Sequence, residues 1–218
     1  MLKIRGFLAR TPFTIVMLCG LLVAGLLTNT YFERITHHWL NRTGFAPDDL
    51  WYLRLERLFT SAMVTSGGKA FWEAVFFIAF AVGLAEWMAG WRRAAATFWG
   101  VHLLALILLS LIISLSLRQL RAFGIAASEV ARDVGPSAGY FACLGLASAR
   151  LKRPWHWISG ATLFPLFILA FAVPAPAGES ARVNFSANLA HLFAFPLGWL
   201  SSFVRSSPKS TLGMRESR

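Results

Sequence analysis

The chain contains 218 residues, of which 56% are hydrophobic and only 14% are charged. Soluble domains carry about 25% charged residues, so the composition argues against a soluble domain, a disordered chain and a disulfide scaffold. The net charge is +11, but the Lys and Arg residues lie between apolar runs, where basic residues set the orientation of membrane helices. We therefore expect an integral membrane protein that binds no nucleic acid.

Six apolar segments approach the roughly 20 residues that a helix needs to cross a bilayer. In chain order they are 11–32, 70–88, 94–117, 135–149, 155–173 and 185–204. The first ends in TNTYFER, with no small-residue cleavage site, so we expect a retained helix and not a signal peptide. The sequence thus predicts an all-α polytopic membrane protein with six transmembrane helices.

Basic residues predict the orientation of this bundle. With residues 1–10 in the cytoplasm, more than half of the Lys and Arg residues fall on the cytoplasmic side, as the positive-inside rule requires. Both termini are then cytoplasmic, which fits a multi-pass protein of a bacterial inner membrane. The membrane domain covers 11–204, and we expect the basic tail at 205–218 to be disordered.

The long outer loop, 33–69, mixes Trp, Tyr, Phe and Leu with charged residues at helix-like spacing. This pattern is typical of an amphipathic helix that lies at a membrane surface. Pro47 followed by two aspartates is typical of a helix start. We expect one helix that begins at Pro47 and runs to Phe59.

Small residues recur every four positions in the fourth and sixth segments. They are Gly135, Gly139, Cys143 and Ala147 in the fourth segment, and Ser186, Ala190, Ala194 and Gly198 in the sixth. Association of helices in lipid relies on packing, and small residues let two backbones approach closely. We expect these two helices to pack tightly, although small residues are also common in membrane helices in general.

Ser137 and His191 lie near the outer ends of these same two helices, so they could share a depth. Serine is a weak nucleophile until a base takes its proton, and histidine is the most frequent such base. Backbone N–H groups at the start of the fourth helix could stabilise an oxyanion. The alternatives are a Ser137 that only caps its helix and a His191 that only makes an interhelical hydrogen bond.

Four pieces of the chain resemble motifs of the rhomboid family of intramembrane serine proteases. They are RLFTSAM at 57–63, GLAEWMAG at 83–90, GPSAG at 135–139 and AHLFAFPLG at 190–198. The resemblance implies a six-helix rhomboid-like bundle with Ser137 as the nucleophile and His191 as its base. It also implies that Gly135, Ala138 and Gly139 surround the nucleophile and support the oxyanion site.

The chain departs from the family pattern at the oxyanion site. Family proteases usually carry a His and an Asn four residues apart in the second span, and the matching positions here are Ala70 and Ala74. Ala138 stands where the family usually has Gly, and Glu56 replaces the aromatic residue before Arg57. Loss of one oxyanion donor costs about 10²–10³ in rate, so a slow enzyme or an inactive relative is expected.

These observations leave three hypotheses open. The first is an intramembrane serine endopeptidase that cleaves transmembrane segments of membrane-protein substrates. The second is a catalytically inactive rhomboid-like protein that binds client transmembrane helices. The third, a small transporter, would need several intramembrane charges along a polar path, and the apolar segments carry few of them.

The remaining polar residues are expected to be structural. Lys69 and Glu73 lie four residues apart, the spacing of a helical ion pair. His102 is expected near the cytoplasmic end of the third segment, far from Ser137. No His, Cys or carboxylate cluster has the spacing of metal ligands, and no cofactor motif occurs, so we expect neither a metal nor a cofactor.

Overall fold

The computed structural model of the protein describes residues 10–122, 132–172 and 179–204. Within these ranges the chain is helical, without strands, and this confirms the predicted all-α class. The helices are α1 (Pro12–Thr28), α2 (His37–Thr43), α3 (Pro47–Trp51), α4 (Glu56–Thr60), α5 (Lys69–Ala89), α6 (Trp91–Ala122), α7 (Ser137–Ala149), α8 (Trp155–Ala172) and α9 (Glu179–Ser201). Helix α5 contains one π-helical turn at Ile78–Val82. The predicted disordered tail at 205–218 lies outside the described residues.

Each of the six apolar segments coincides with one helix, but the helices differ in length. Among the described residues, α5 and the Trp91–Ile113 part of α6 are long and apolar enough to cross a membrane. Helices α1 and α7 are apolar but shorter, with 17 and 13 residues. At 1.5 Å per residue, α7 spans about 20 Å of a hydrocarbon core that is about 30 Å thick.

Consecutive helices of the bundle are antiparallel. Phe13 near the start of α1 contacts Glu86 near the end of α5. Cys143 in α7 donates from Sγ to the carbonyl oxygen of Ala94, near the start of α6. As a result, α1 and α6 begin, and α5 and α7 end, at one end of the bundle.

The two ends of the bundle differ in charge. We call the first the basic end, and its described basic residues are Arg10, Arg92, Arg93, Arg150, Lys152 and Arg153. At the opposite end, which we call the loop end, segment 29–68 connects α1 to α5, and its basic side chains are balanced by acidic ones. The two ends therefore differ in net charge among the described residues, and the predicted orientation in a membrane stays a prediction.

The Glu86 side chain connects α5 to the start of α1 by hydrogen bonds. Its side chain is only 1% exposed and accepts hydrogen bonds from Phe13 N at 2.9 Å, Thr14 N at 2.8 Å and Thr14 Oγ1 at 2.7 Å. The first N–H groups of a helix have no intrahelical acceptor and carry partial positive charge. The buried carboxylate therefore replaces its lost hydration with three donors, all at the start of α1 and two of them backbone N–H groups.

The predicted single helix from Pro47 to Phe59 is wrong. Helix α3 begins at Pro47, as expected, but ends at Trp51, and α4 begins separately at Glu56. Leu53 has a φ of 57°, a left-handed conformation that interrupts a right-handed helix. The turn brings Arg54 and Arg57 back toward Asp49, whose buried carboxylate both contact.

Candidate functional site

The segment that precedes α7 is held against the loop end of the bundle. Phe45 and Asp133 exchange two backbone hydrogen bonds, of 2.9 and 2.8 Å. Gly135 N then donates to the carbonyl oxygen of Ser61 at 2.7 Å. These bonds fix the chain before Ser137, the first residue of α7.

Gly135 has a conformation that few other residues adopt. Its φ is +144°, a region that glycine reaches without the steric cost of a side chain. The residue lies in the turn before α7 and outside its small-residue face. This turn positions the Ser137 side chain near Gly135, where a β carbon on the glycine would lie 3.9 Å from Ser137 Oγ.

A buried charge cluster attaches the loop to the segment before α7. Asp49 is 1% exposed and accepts from Arg57 at 2.7 Å and from Arg132 at 2.5 Å. Arg132 also donates to the carbonyl oxygen of Gly44 at 3.1 Å. Burial by itself would raise the pKa of Asp49, but hydrogen bonds from Arg132, the Ala46 N–H and Arg57 hold it below 3.8. The cluster therefore stays ionised at neutral pH.

Helices α7 and α9 pack backbone against backbone. A β carbon at Gly198 would collide with the carbonyl oxygen of Ala142, and one at Gly145 would collide with that of Phe195. Ala190 and Ala194 of α9 pack in the same cluster as Ala138 and Ala142 of α7. Residue numbers rise in the same direction along both helices, so α7 and α9 are parallel. Ser137, at the start of α7, and His191, near the middle of α9, consequently lie at a similar level of the two adjacent helices.

The small residues predicted for α7 line a different face. Gly139 contacts Phe98, and Cys143 and Ala147 pack in the cluster that contains Ala94 of α6. The face toward α9 is instead formed by small residues that the four-residue spacing did not select, namely Ala138, Ala142 and Gly145. Helix α7 thus approaches two neighbours closely. The side chain of Ser186 lies outside the described residues.

His191 follows Ala190, a residue of the contact between α9 and α7, and lies beside an aromatic ring of α7. The ring centroids of His191 and Phe141 are 4.7 Å apart, in an edge-to-face arrangement. His191 Nε2 is buried and has no hydrogen-bond partner among the described residues. Phe141 is four residues after Ser137, so it lies on the same side of α7. No hydrogen bond joins Ser137 and His191 in this conformation of the described chain.

The resemblance to the protease family implied side-chain oxyanion donors at positions 70 and 74. Ala74 is buried and Ala70 is half-buried, and neither has a side-chain donor. The backbone N–H groups of Ala138 and Gly139, in the first turn of α7, have no acceptor four residues earlier within the helix. The Ser61 hydroxyl is buried and has no hydrogen-bond partner among the described residues. The Ser61 carbonyl oxygen accepts the hydrogen bond from Gly135 N. In the sequence, Ser61 was noted only as part of RLFTSAM.

Asp133 carries the carboxyl group nearest to Ser137 along the chain. Burial raises its pKa to about 6, and the hydrogen bond from the Val134 N–H opposes this shift. Its charge therefore changes in the weakly acidic range. The exposed pair of Lys69 and Glu73 has the predicted ion contact, at 3.2 Å, which contributes little at a surface.

His102 is buried and contacts the loop between α1 and α5, a contact that the sequence did not predict. Its Nε2 is 3.1 Å from the carbonyl oxygen of Leu58 in α4, and its ring stacks on Phe98, the residue that contacts Gly139. The loop therefore packs along α6 as far as His102.

Groups of three or more potential metal ligands are absent from the described part of the chain. No protein-family model matches the chain, and no curated protein and no solved structure is detectably similar to it. The function must therefore be argued from the geometry of Ser137, His191 and their surroundings.

Proposed function

We propose that this protein is an intramembrane serine endopeptidase of the rhomboid type, built on six membrane-spanning helices. Its substrates are transmembrane segments of other membrane proteins. Its termini are cytoplasmic, and the host membrane is a bacterial inner membrane. The basic end faces the cytoplasm in this proposal, and the loop end faces the opposite side.

One observation carries the proposal. The Nε2 atom of His191 is buried and has no hydrogen-bond partner in the described part of the chain. The His191 ring lies beside Phe141, which is one helical turn after Ser137, and α9 packs in parallel against α7, the helix that Ser137 begins. A buried polar atom without a hydrogen bond is costly and calls for an explanation. A base that waits for the proton of a nearby serine provides one. The absence of a Ser137–His191 hydrogen bond is compatible with this role, since catalytic hydrogen bonds are often long before substrate binds.

The reaction would follow the serine-protease sequence. Ser137 Oγ attacks the peptide carbonyl carbon while His191 takes the hydroxyl proton, and a tetrahedral oxyanion forms. Backbone N–H groups of the first turn of α7 donate to that oxyanion. His191 then gives the proton to the leaving amine, and water attacks the acyl-serine ester to release the second product. A helical substrate must unwind locally, because its carbonyls are otherwise hydrogen-bonded within the helix.

The placement in a membrane is supported by the ends of the helices. Helices α5 and α6 are long and apolar enough to cross, and a short turn at Gly90 connects them. Trp87, Trp91, Trp155 and Trp157 are exposed at the basic end. Tryptophan is enriched at membrane–water interfaces, and Lys and Arg on the cytoplasmic side.

The experiment is labelling of the purified chain in lipid with a fluorophosphonate probe. Ser137→Ala and His191→Ala are expected to abolish labelling. Ser148→Ala is the matched control, since Ser148 is a buried serine at the other end of α7, and it should retain labelling. Loss of labelling in Ser148→Ala alone, with Ser137→Ala unaffected, would show that Ser137 is the wrong nucleophile.

A second function, binding of transmembrane helices without cleavage, is favoured by the alanines at positions 70 and 74. Without their side-chain donors, the oxyanion relies on backbone N–H groups alone. An unlabelled wild-type chain, beside an active serine protease that is labelled in parallel, would favour this function. Capture of the same client helix by wild type and by Ser137→Ala would then identify the chain as a binding protein.

A further inference from the structure

A groove of about 820 Å³ lies between α6 and α9 at the basic end, away from Ser137. Its mouth is formed by the turn at Gly90 and by Arg92 and Arg93, and its walls are apolar. The wall residues include Gly100, Leu104, Leu197 and Leu200. A volume of this size is within the range of about 300–1,000 Å³ that is typical of sites for small organic ligands.

We propose that this groove binds one anionic phospholipid of the leaflet at the basic end, with its phosphate at Arg92 and an acyl chain along α6 and α9. The proposal rests on the membrane placement in the proposed function and not on the protease chemistry. It assigns a ligand to a part of the protein that the peptidase reaction does not use.

The dimensions of the groove fit a lipid of a single leaflet. Arg92 and Leu104 are twelve residues apart on one helix, which corresponds to about 18 Å. Half of a hydrocarbon core is about 15 Å thick. A ligand with its charge at Arg92 and its tail at Leu104 thus covers one leaflet.

The charges at the mouth favour an anion. Arg92 is exposed, and its guanidinium lies 5.3 Å from the ring of Trp91, a pairing that suits an interface. Arg93 donates to the carbonyl oxygens of Ser201, Ser202 and Val204 at the end of α9. Partial burial and the charge of Arg93 lower the pKa of Arg150 nearby. The described lining of the groove contains Arg92 and Arg93 and no carboxylate, and positive charge at the end of an apolar groove complements a phosphodiester headgroup.

The same charges argue against the chain's own C-terminal tail as the occupant. Residues 205–218 contain Arg205, Lys209, Arg215 and Arg218 against a single Glu216. A basic segment would be repelled from a basic mouth. An uncharged lipid would fill the apolar walls equally well but would not respond to the loss of Arg92.

The test is native mass spectrometry of the full chain titrated with phosphatidylglycerol and with phosphatidylcholine of the same acyl chains. We expect preferential, saturable binding of one phosphatidylglycerol. Arg92→Gln should weaken it about fivefold, the effect of one basic residue near a membrane surface. Gly100→Leu should remove it, because no heavy atom lies within 4 Å of a β carbon at Gly100, so the added side chain enters the groove without a clash.

Two matched controls address non-specific effects. Arg42 also lies over a tryptophan ring, that of Trp39, but at the loop end, and Ala79 is an exposed small residue of α5 away from the groove. Arg42→Gln and Ala79→Leu should retain the preference, and so should Ser137→Ala, which removes the proposed peptidase. Equal binding of both lipids, or equal losses in test and control variants, would overturn the proposal.

Discussion

The Asp49 cluster gives the sharpest test of how the loop end is held together. Asp49→Asn keeps the shape of the side chain but removes the charge that Arg57 and Arg132 contact. Breaking a buried ion pair costs about 3–5 kcal/mol when the partner stays buried and unpaired. Arg57 and Arg132 retain 13% and 23% exposure, so water can partly rehydrate them. We therefore expect a loss near the lower limit, about 3 kcal/mol.

The free energy of unfolding can be measured by denaturant titration in mixed micelles. Asp48→Asn is the matched control, because Asp48 is an adjacent but exposed carboxylate, and it should change stability by less than about 0.5 kcal/mol. The pKa of Asp49 is lowered in the folded protein, so its contribution is present above the unfolded value of 3.8 and is lost as the pH falls through the folded value. Equal destabilisation by the two substitutions would refute the assignment of a buried charge cluster.

The helix contacts of α7 and the turn before it are also open to substitution. Gly198→Ala should destabilise the protein by about 1–3 kcal/mol, because its β carbon would collide with backbone atoms of α7. Gly160→Ala should be tolerated, because its β carbon would meet only a side-chain atom, at 3.7 Å. Thermal unfolding of both variants measures the difference, and similar melting temperatures would contradict it. The pKa of Asp133 is raised to about 6, so its contribution to the free energy of unfolding should increase as the pH falls from 7 toward 4. A pH series of unfolding measurements should show that Asp133→Asn loses this increase. Gly135→Ala should slow fluorophosphonate labelling of Ser137, because alanine is strained at a φ of +144°; an unchanged labelling rate would show that the turn does not position the serine.

The positions of the main helices could be predicted from the sequence because the signal is local. A run of apolar residues, a helix-start signal and basic flanking residues all act within about 20 consecutive positions. Each predicted apolar segment accordingly coincides with a helix. The single helix predicted from Pro47 to Phe59 was wrong because the start signal at Pro47 is local, whereas the interruption depends on Arg54 and Arg57 turning back to the buried Asp49.

The candidate site was predictable only in part. The sequence alone indicates Ser137 at the start of one apolar segment and His191 near the start of another. The structure brings the helices of these two segments into close parallel contact. Which small residues make that contact was not predictable, because spacing of four selects one face of α7 and cannot tell which neighbour that face meets. The position of His102 likewise depends on the path of the loop along α6.

The sequence by itself determined a helical chain with strongly apolar segments, basic flanks and a serine and a histidine at matching positions, since composition and periodicity are properties of neighbouring residues. The tertiary structure alone decided how buried charges are satisfied. Asp49 meets Arg132 across 83 residues, and Glu86 meets the start of α1 across 73. A buried carboxylate is stable only where donors converge on it, and for Asp49 and Glu86 some of those donors are distant in sequence and reach the carboxylate only in the folded protein.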